Sequence, residues 1–391
     1  MLVLILVFIT SFMLVLYGTP ALIKVAILKR LFDEPGGRKI HKRIIPTIGG
    51  IIIFSATLFS FSLWFNIDID KGDFEKINRG VQDFKLIVAT MLILFFIGVK
   101  DDIIGTSPIK KLIAHVVVGL MLVLIGNIRI TGLHGIFGVY NIPEWAGIFL
   151  SLFTYVVVVN GFNLIDGVDG LASGVGLIAC STMGAWFIFA GDYIMACLAF
   201  ALAGSLTGFL IFNFAPAKIF MGDSGSLCIG LIVSILSIKL IEYPEQNLSG
   251  VTLYLSKPVF AMATLIYPLV DTLRIFIIRA MRGQSPFSAD KNHLHHRIMD
   301  CGLGHKGTVI IIYFFSLGAI TVSLLCYKLY NMNSIALGIL IGYSAFCMLV
   351  LELIYRKKNK NKIISQKKWH EQITLSVDED AQRSKNENEI D

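Results

Sequence analysis

The sequence predicts an all-α, polytopic integral membrane protein of about eleven transmembrane helices, with its N-terminus outside and its C-terminus in the cytoplasm. Three observations predict it. The 391 residues are 55% hydrophobic and only 16% charged, and mean hydropathy is +0.74, above what a water-soluble globule carries. Apolar windows of about 20 residues, the length that crosses a hydrocarbon layer of roughly 30 Å as a helix, recur along nearly the whole chain. The short alternating segments of a closed barrel are absent.

The predicted spans fall at 1–19, 44–65, 84–100, 111–127, 146–160, 171–190, 194–213, 225–241, 259–278, 308–327 and 334–355. The first has neither a basic leader nor a small-residue cleavage site behind it, so it reads as a retained helix rather than a signal peptide. Residues 1–355 form one membrane domain, and the polar tail 356–391 is expected to be disordered. Cys180, Cys197, Cys228, Cys301, Cys326 and Cys347 form no CxxC pair, and five sit in apolar surroundings, which predicts packed, reduced thiols.

Basic residues orient the chain. With the N-terminus outside, the inner loops hold seven Lys and Arg in 20–43, three in 100–111, one in 213–223 and six in 274–307. The tail adds nine, and the opposite side holds eight. Topology and anionic lipid therefore account for the net charge of +7, and no nucleic-acid partner is implied.

All five motif-bearing loops land on that inner side. The first reads DEPGGRKIHKRIIPTIGG and packs Arg38, Lys39 and His41 closely; the second, GVKDDIIGTSPIKK, carries Asp101, Asp102 and Lys111. The third, NGFNLIDGVDGLA, spaces Asn160, Asn163, Asp166 and Asp169 by three, which makes successive members neighbours on a helix face. The fourth, FMGDSGSLCIG, starts a helix at Asp223, where Ser224, Ser226 and free N–H groups offer an anion seat. The fifth, SPFSADKNHLHHRIMD, brings His293, His295, His296 and Arg297. Asp271 and Arg274, near the inner end of the ninth span, either pair only with each other or, as charges within a span, serve function, the latter being favoured.

Five aspartates close together repel unless a cation sits among them. An all-oxygen set favours Mg²⁺, with Mn²⁺ as substitute, over zinc. DGVDG lacks the alternating order of a calcium loop. Mg²⁺ takes one or two carboxylates, so the others must do different work, and Asp101 and Asp102, about 100° apart on a helix, must differ in role. Cation, helix N-terminus and basic loops together suit pyrophosphate chemistry at a membrane surface.

At these residues the sequence resembles the polyprenyl-phosphate N-acetylhexosamine-1-phosphate transferases. The five motifs occur in order between residues 33 and 306, and the span count fits the WecA/TagO-type branch. The translocase branch (MraY) builds its last motif around three histidines in a row and is the alternative within the family.

The resemblance implies transfer of a sugar 1-phosphate, GlcNAc-1-phosphate first among them, from a UDP-sugar to polyprenyl phosphate, with release of UMP. It implies Mg²⁺ on Asp223 and Asn163, and catalytic roles for Asp101, Asp102, Asp166 and Asp169. Substrate contacts fall to Arg38, Lys39, His41, Lys111, Asn163, His293, His295, His296 and Arg297. It further implies the bacterial inner membrane, a cytoplasm-facing site, a role in starting O-antigen, common-antigen or teichoic-acid synthesis, and leaves a homodimer open. The reading from a different class is a transporter, which predicts inverted repeats and broken helices near the midplane.

Overall fold

In the computed structural model, residues 1–31, 45–65, 74–283, 293–329 and 332–358 are described. Among the described residues, helix occupies most of each of the eleven apolar runs. The order is α1 (Leu2–Leu28), α2 (Gly49–Leu63), α3 (Phe74–Ile104), α4 (Pro108–Leu120), a hairpin of β1 (Gly132–Ile136) and β2 (Val139–Asn141), α5 (Glu144–Ile165), α6 (Leu171–Ala190), α7 (Tyr193–Asn213), α8 (Asp223–Ile241), α9 (Val251–Tyr254), α10 (Lys257–Thr264), α11 (Ile266–Met281), α12 (Leu294–Asp300) and α13 (His305–Leu325). α14 (Asn333–Lys358) closes the described chain. Among the described residues, eight helices are long and apolar enough to cross a membrane, or nine if the bent pair α10–α11 is one span. α2 is short, at 15 residues.

α8 is the axis of the fold. It is apolar all round, and such a helix belongs inside a bundle; α2, α3, α5, α6 and α10 surround it. α1 lies outside against α7 and α2, and α13 and α14 flank α10. Close helix approach uses small residues, as is common between helices in lipid. On α7, a side chain at Gly204 would meet Ser11 Oγ at 2.2 Å, and one at Gly208 would meet the Phe12 carbonyl at 2.9 Å. The two glycines, four apart, let α1 lie directly on α7. Large exposed side chains such as Phe96, Phe153 and Phe314 point outward.

Two expectations need amendment. The ninth run is not one helix: it breaks at Leu265, and α10 and α11 are bent by 78°. Pro268 lacks the N–H that would bond the Thr264 carbonyl, so the ladder fails there. The all-α prediction also omits the hairpin between α4 and α5. Phe137 and Gly138, at its two-residue turn, both have positive φ (56° and 72°), as primed hairpin turns require. Glu242, just past α8, anchors this hairpin through Thr131 N (3.0 Å), Thr131 Oγ1 (2.5 Å) and His134 Nε2 (3.0 Å). All six cysteines are free thiols.

Candidate active site

The N-terminus of α8 lies at the opposite end of the bundle from the hairpin. Its first amides have no intrahelical partner, and the helix dipole favours an anion there. That anion is supplied by the protein itself. Asp102, in the last turn of α3, accepts from Asp223 N (2.7 Å), Ser224 N (3.1 Å) and Ser224 Oγ (2.6 Å). The anion seat expected for a substrate at GDSGS is therefore filled by Asp102.

Close packing makes this cap possible. A side chain at Gly98 would strike Ser224 Cα at 2.4 Å. Gly222 has φ of 72°, and a Cβ there would meet Thr47 O at 2.3 Å and Asp102 Oδ1 at 2.6 Å, so both conformation and space demand glycine. The chain entering α2 is laced to the chain entering α8: Phe220 N donates to Pro46 O, Gly49 N to Phe220 O and Gly50 N to Met221 O, at 2.7–2.9 Å.

Asp101, the neighbour of Asp102, points elsewhere, as the 100° step requires. Lys111 on α4 bridges it to α8, with Nζ 2.7 Å from Asp101 Oδ2 and 2.5 Å from Asp223 Oδ2. Asn163, near the end of α5, donates from Nδ2 to Asp223 Oδ1 (2.8 Å) and Ser226 Oγ (3.1 Å). The Asp101, Lys111 and Asp223 side chains are about one-fifth exposed, so the cluster opens at the bundle's end. Asp166 completes it from the turn after α5, where the Gly222 amide bonds its carboxylate. Loss of water around it, then the charges of Asp223 and Asp102, push Asp166 well above the usual carboxylate range.

Asp169 is turned away from this group and braces the loop. Its Oδ2 accepts from Ala217 N (3.0 Å), and its Oδ1 faces His305 Nδ1 at 3.6 Å. Asn213 fastens the same turn through Gly170 N (3.0 Å), Ser173 Oγ (2.9 Å) and the Ile219 carbonyl (3.0 Å).

The histidine segment approaches from the other side. Asp271 does not serve Arg274 as a simple pair: it bonds His293 Nδ1 (2.7 Å) and accepts from Leu294 N (2.7 Å). His295 is buried with Nδ1 3.4 Å from the Tyr267 hydroxyl, and a Cβ at Gly167 would lie 3.6 Å from its Nε2. Burial pushes His295 down to about 3, so its ring is neutral at physiological pH. The His296 ring lies 4.4 Å from that of His295. Arg297 is engaged by α14, paired with Glu352 and 5.2 Å from the Tyr355 ring. Arg38, Lys39 and His41 lie outside the described residues.

Residues 84–241 match the glycosyl transferase family 4 model, a stretch that holds every member of the carboxylate–lysine cluster. The chain is 33% identical over 324 residues to the "Probable undecaprenyl-phosphate N-acetylglucosaminyl 1-phosphate transferase" of Bacillus subtilis (strain 168), covering 80% of this chain and 83% of that protein. The chain belongs to glycosyl transferase family 4. It is also 29% identical over 294 residues to the "Undecaprenyl-phosphate alpha-N-acetylglucosaminyl 1-phosphate transferase" of Escherichia coli (strain K12), covering 74% of each chain. The protein of the same name from Yersinia pestis is likewise 29% identical over 294 residues, covering 74% of this chain and 75% of its own.

For this family member, the donor set fits a hard cation. Among the described residues no three His, Cys, Asp or Glu side chains form a ready-made cage; the oxygen-bearing side chains that meet here, Asp223 and Asn163, are of the type a hard cation takes, with water and phosphate completing its shell. The Lys111 ammonium already sits between Asp101 and Asp223, marking a point where two carboxylates face a positive charge. Four partners of the motif residues carry little or no signal in the sequence: Asn213, Tyr267, His305 and the Asp271–His293 bond. Only an aspartate inside an apolar run hinted at the last.

Proposed function

We propose that this chain transfers GlcNAc-1-phosphate from UDP-GlcNAc to undecaprenyl phosphate and releases UMP, as the first membrane step of a cell-envelope polysaccharide. The observation that carries the reading is the Asp101–Lys111–Asp223–Asn163 cluster at one end of an apolar helix bundle, together with relatives whose names describe that transfer. In the bacterial inner membrane, that end faces the cytoplasm, with eleven spans and the N-terminus outside.

An oxygen of the lipid phosphate attacks the β-phosphorus of the UDP-sugar. A new P–O bond forms, the bond from the β-phosphorus to the bridging oxygen breaks, and UMP leaves with that electron pair. The nucleophile is anionic at neutral pH and no proton need be removed, so holding and neutralising the phosphates outweighs base catalysis. Asp102 does not take a proton here; it fixes the start of α8 and so the direction of Asp223. Lys111 offers a cation to phosphate oxygens. Neutral His295 donates or accepts a hydrogen bond without adding charge. Asp223, with Asn163 beside it, would hold Mg²⁺ or Mn²⁺, which would supply positive charge to offset that of the pyrophosphate and the departing UMP.

The test is purified protein with radiolabelled UDP-GlcNAc, undecaprenyl phosphate and Mg²⁺, beside a panel of UDP-sugars that includes the UDP-MurNAc-pentapeptide. A lipid-extractable pyrophosphate product from UDP-GlcNAc is the expected result. No product from any donor would remove the transferase reading, and product from the pentapeptide alone would move the chain to the translocase branch.

A further inference from the structure

α12 has seven residues, too few to be stable as an isolated helix, yet it carries the histidines to the site. Something must hold its start. The start of α12 receives its support from α11: Asp271 lies one turn beyond Pro268, downstream of the 78° bend, and is only 1% exposed. Its two oxygens are both used. Oδ2 takes His293 Nδ1 at 2.7 Å, and Oδ1 takes the Leu294 amide, the first N–H of α12, at 2.7 Å.

The consequence runs along a short chain of contacts. Accepting from Nδ1 fixes the ring of His293 and leaves Nε2 as its outward nitrogen. The His293 ring lies parallel to that of His295, 5.5 Å between centroids. His295 in turn abuts Gly167, whose chain neighbour Asp166 belongs to the carboxylate cluster. A buried carboxylate on α11 thus determines where the imidazoles stand relative to Asp166 and Asp223.

We infer that Asp271 is a positioning residue, acting through His293 to hold the histidine segment where it meets the phosphates of the nucleotide-sugar. The inference rests on the proposed transferase reading. It gives the bend in α10–α11 a purpose: a straight helix would not present Asp271 to the start of α12 in the same way.

The experiment is a double-mutant cycle of Asp271→Asn, His293→Asn and the pair, read as KM for UDP-GlcNAc, KM for undecaprenyl phosphate and kcat in detergent, with melting temperature as the folding control. In Asp271→Asn the side-chain amide can still accept from the Leu294 N–H but loses the charged bond to the imidazole, which is worth roughly tenfold or more. Each single variant should raise KM for UDP-GlcNAc by about tenfold, move kcat and the lipid KM by less than about threefold, and the pair should be no worse than the worse single. Multiplying effects, or an unchanged KM for UDP-GlcNAc, would overturn the inference. If Asp271→Asn fails to fold, His293→Asn alone decides: the KM for UDP-GlcNAc must still rise, and an unchanged value refutes the idea. Inactive wild-type protein would instead strike the transferase reading itself.

Discussion

Replacing Lys111 with methionine keeps the length and apolar stem of the side chain and removes the ammonium shared by Asp101 and Asp223. Nζ lies 2.7 Å from Asp101 Oδ2 and 2.5 Å from Asp223 Oδ2, so those oxygens are at most about 5 Å apart. Two unit charges at about that distance in an effective dielectric near 20 repel by about 3 kcal/mol. Solvent reaches about one-fifth of each side chain, which lowers the net cost to about 1–3 kcal/mol. The expected outcome is a lower unfolding temperature for Lys111→Met in detergent with excess EDTA. Millimolar MgCl₂ should recover most of the difference, because a cation between the carboxylates replaces the lost charge. Thermal unfolding of wild type and variant, each with EDTA and with Mg²⁺, gives all four values. A variant as stable as wild type in EDTA, or one that Mg²⁺ stabilises no more than it stabilises wild type, would refute the electrostatic reading of the cluster.

Asp102→Asn should behave differently: it loses the charge at the helix N-terminus and sets an amide N–H₂ against donors, costing about 2–4 kcal/mol, and Mg²⁺ should not restore the melting temperature. Asp166 is held above the ordinary carboxylate range, so protons compete with metal at higher pH than for a free carboxylate; Mn²⁺ affinity measured by electron paramagnetic resonance should fall from pH 8 to pH 6, and Asp166→Asn should flatten that dependence. His295 is pushed down to about 3, far below the assay range, so the ratio of KM for UDP-GlcNAc in His295→Gln to that in wild type should stay constant from pH 6 to pH 8. A ratio that varies with pH there would mean that the ring titrates.

Much of the fold was legible because a bilayer imposes one length and one composition on each span. The apolar runs needed only counting, and among the described residues helix fills most of each, eight helices, or nine with the bent pair, being long and apolar enough to span. What escaped depends on single backbone groups. Nothing in the hydropathy of 259–278 separates a straight helix from one broken at Leu265; the missing N–H of Pro268 does. The hairpin at 132–141 is too short to register as alternation, and its turn needs positive φ at Phe137, which a bulky residue rarely adopts. Within the site, the convergence of Asp101, Asp102, Asp166 and Asp223 was legible from the motifs and a common face. Their division of labour was not, because it depends on which carboxylate reaches the start of α8. Asp102 does so only because Gly98 and Gly222 leave room for it.

That division changes how the charge at the site is understood. Five aspartates gathered at one membrane face called for a cation to offset their repulsion, but two of them have their charge met by the fold. Asp102 is held by two backbone amides and a hydroxyl at the start of α8, and Asp169 by a backbone amide and His305. Asp101, Asp166 and Asp223 remain, and Lys111 is the ammonium that reaches two of them. Among the described residues Lys111 is the cation paired with this trio, which it leaves net negative, and a pyrophosphate adds more negative charge. Anionic substrates entering there would be repelled unless further positive charge joined them. The expectation of a divalent cation therefore rests on Asp223 and the uncompensated charge around it rather than on five carboxylates, and it predicts that removing Asp223 weakens Mn²⁺ binding while removing Asp169 weakens the fold instead.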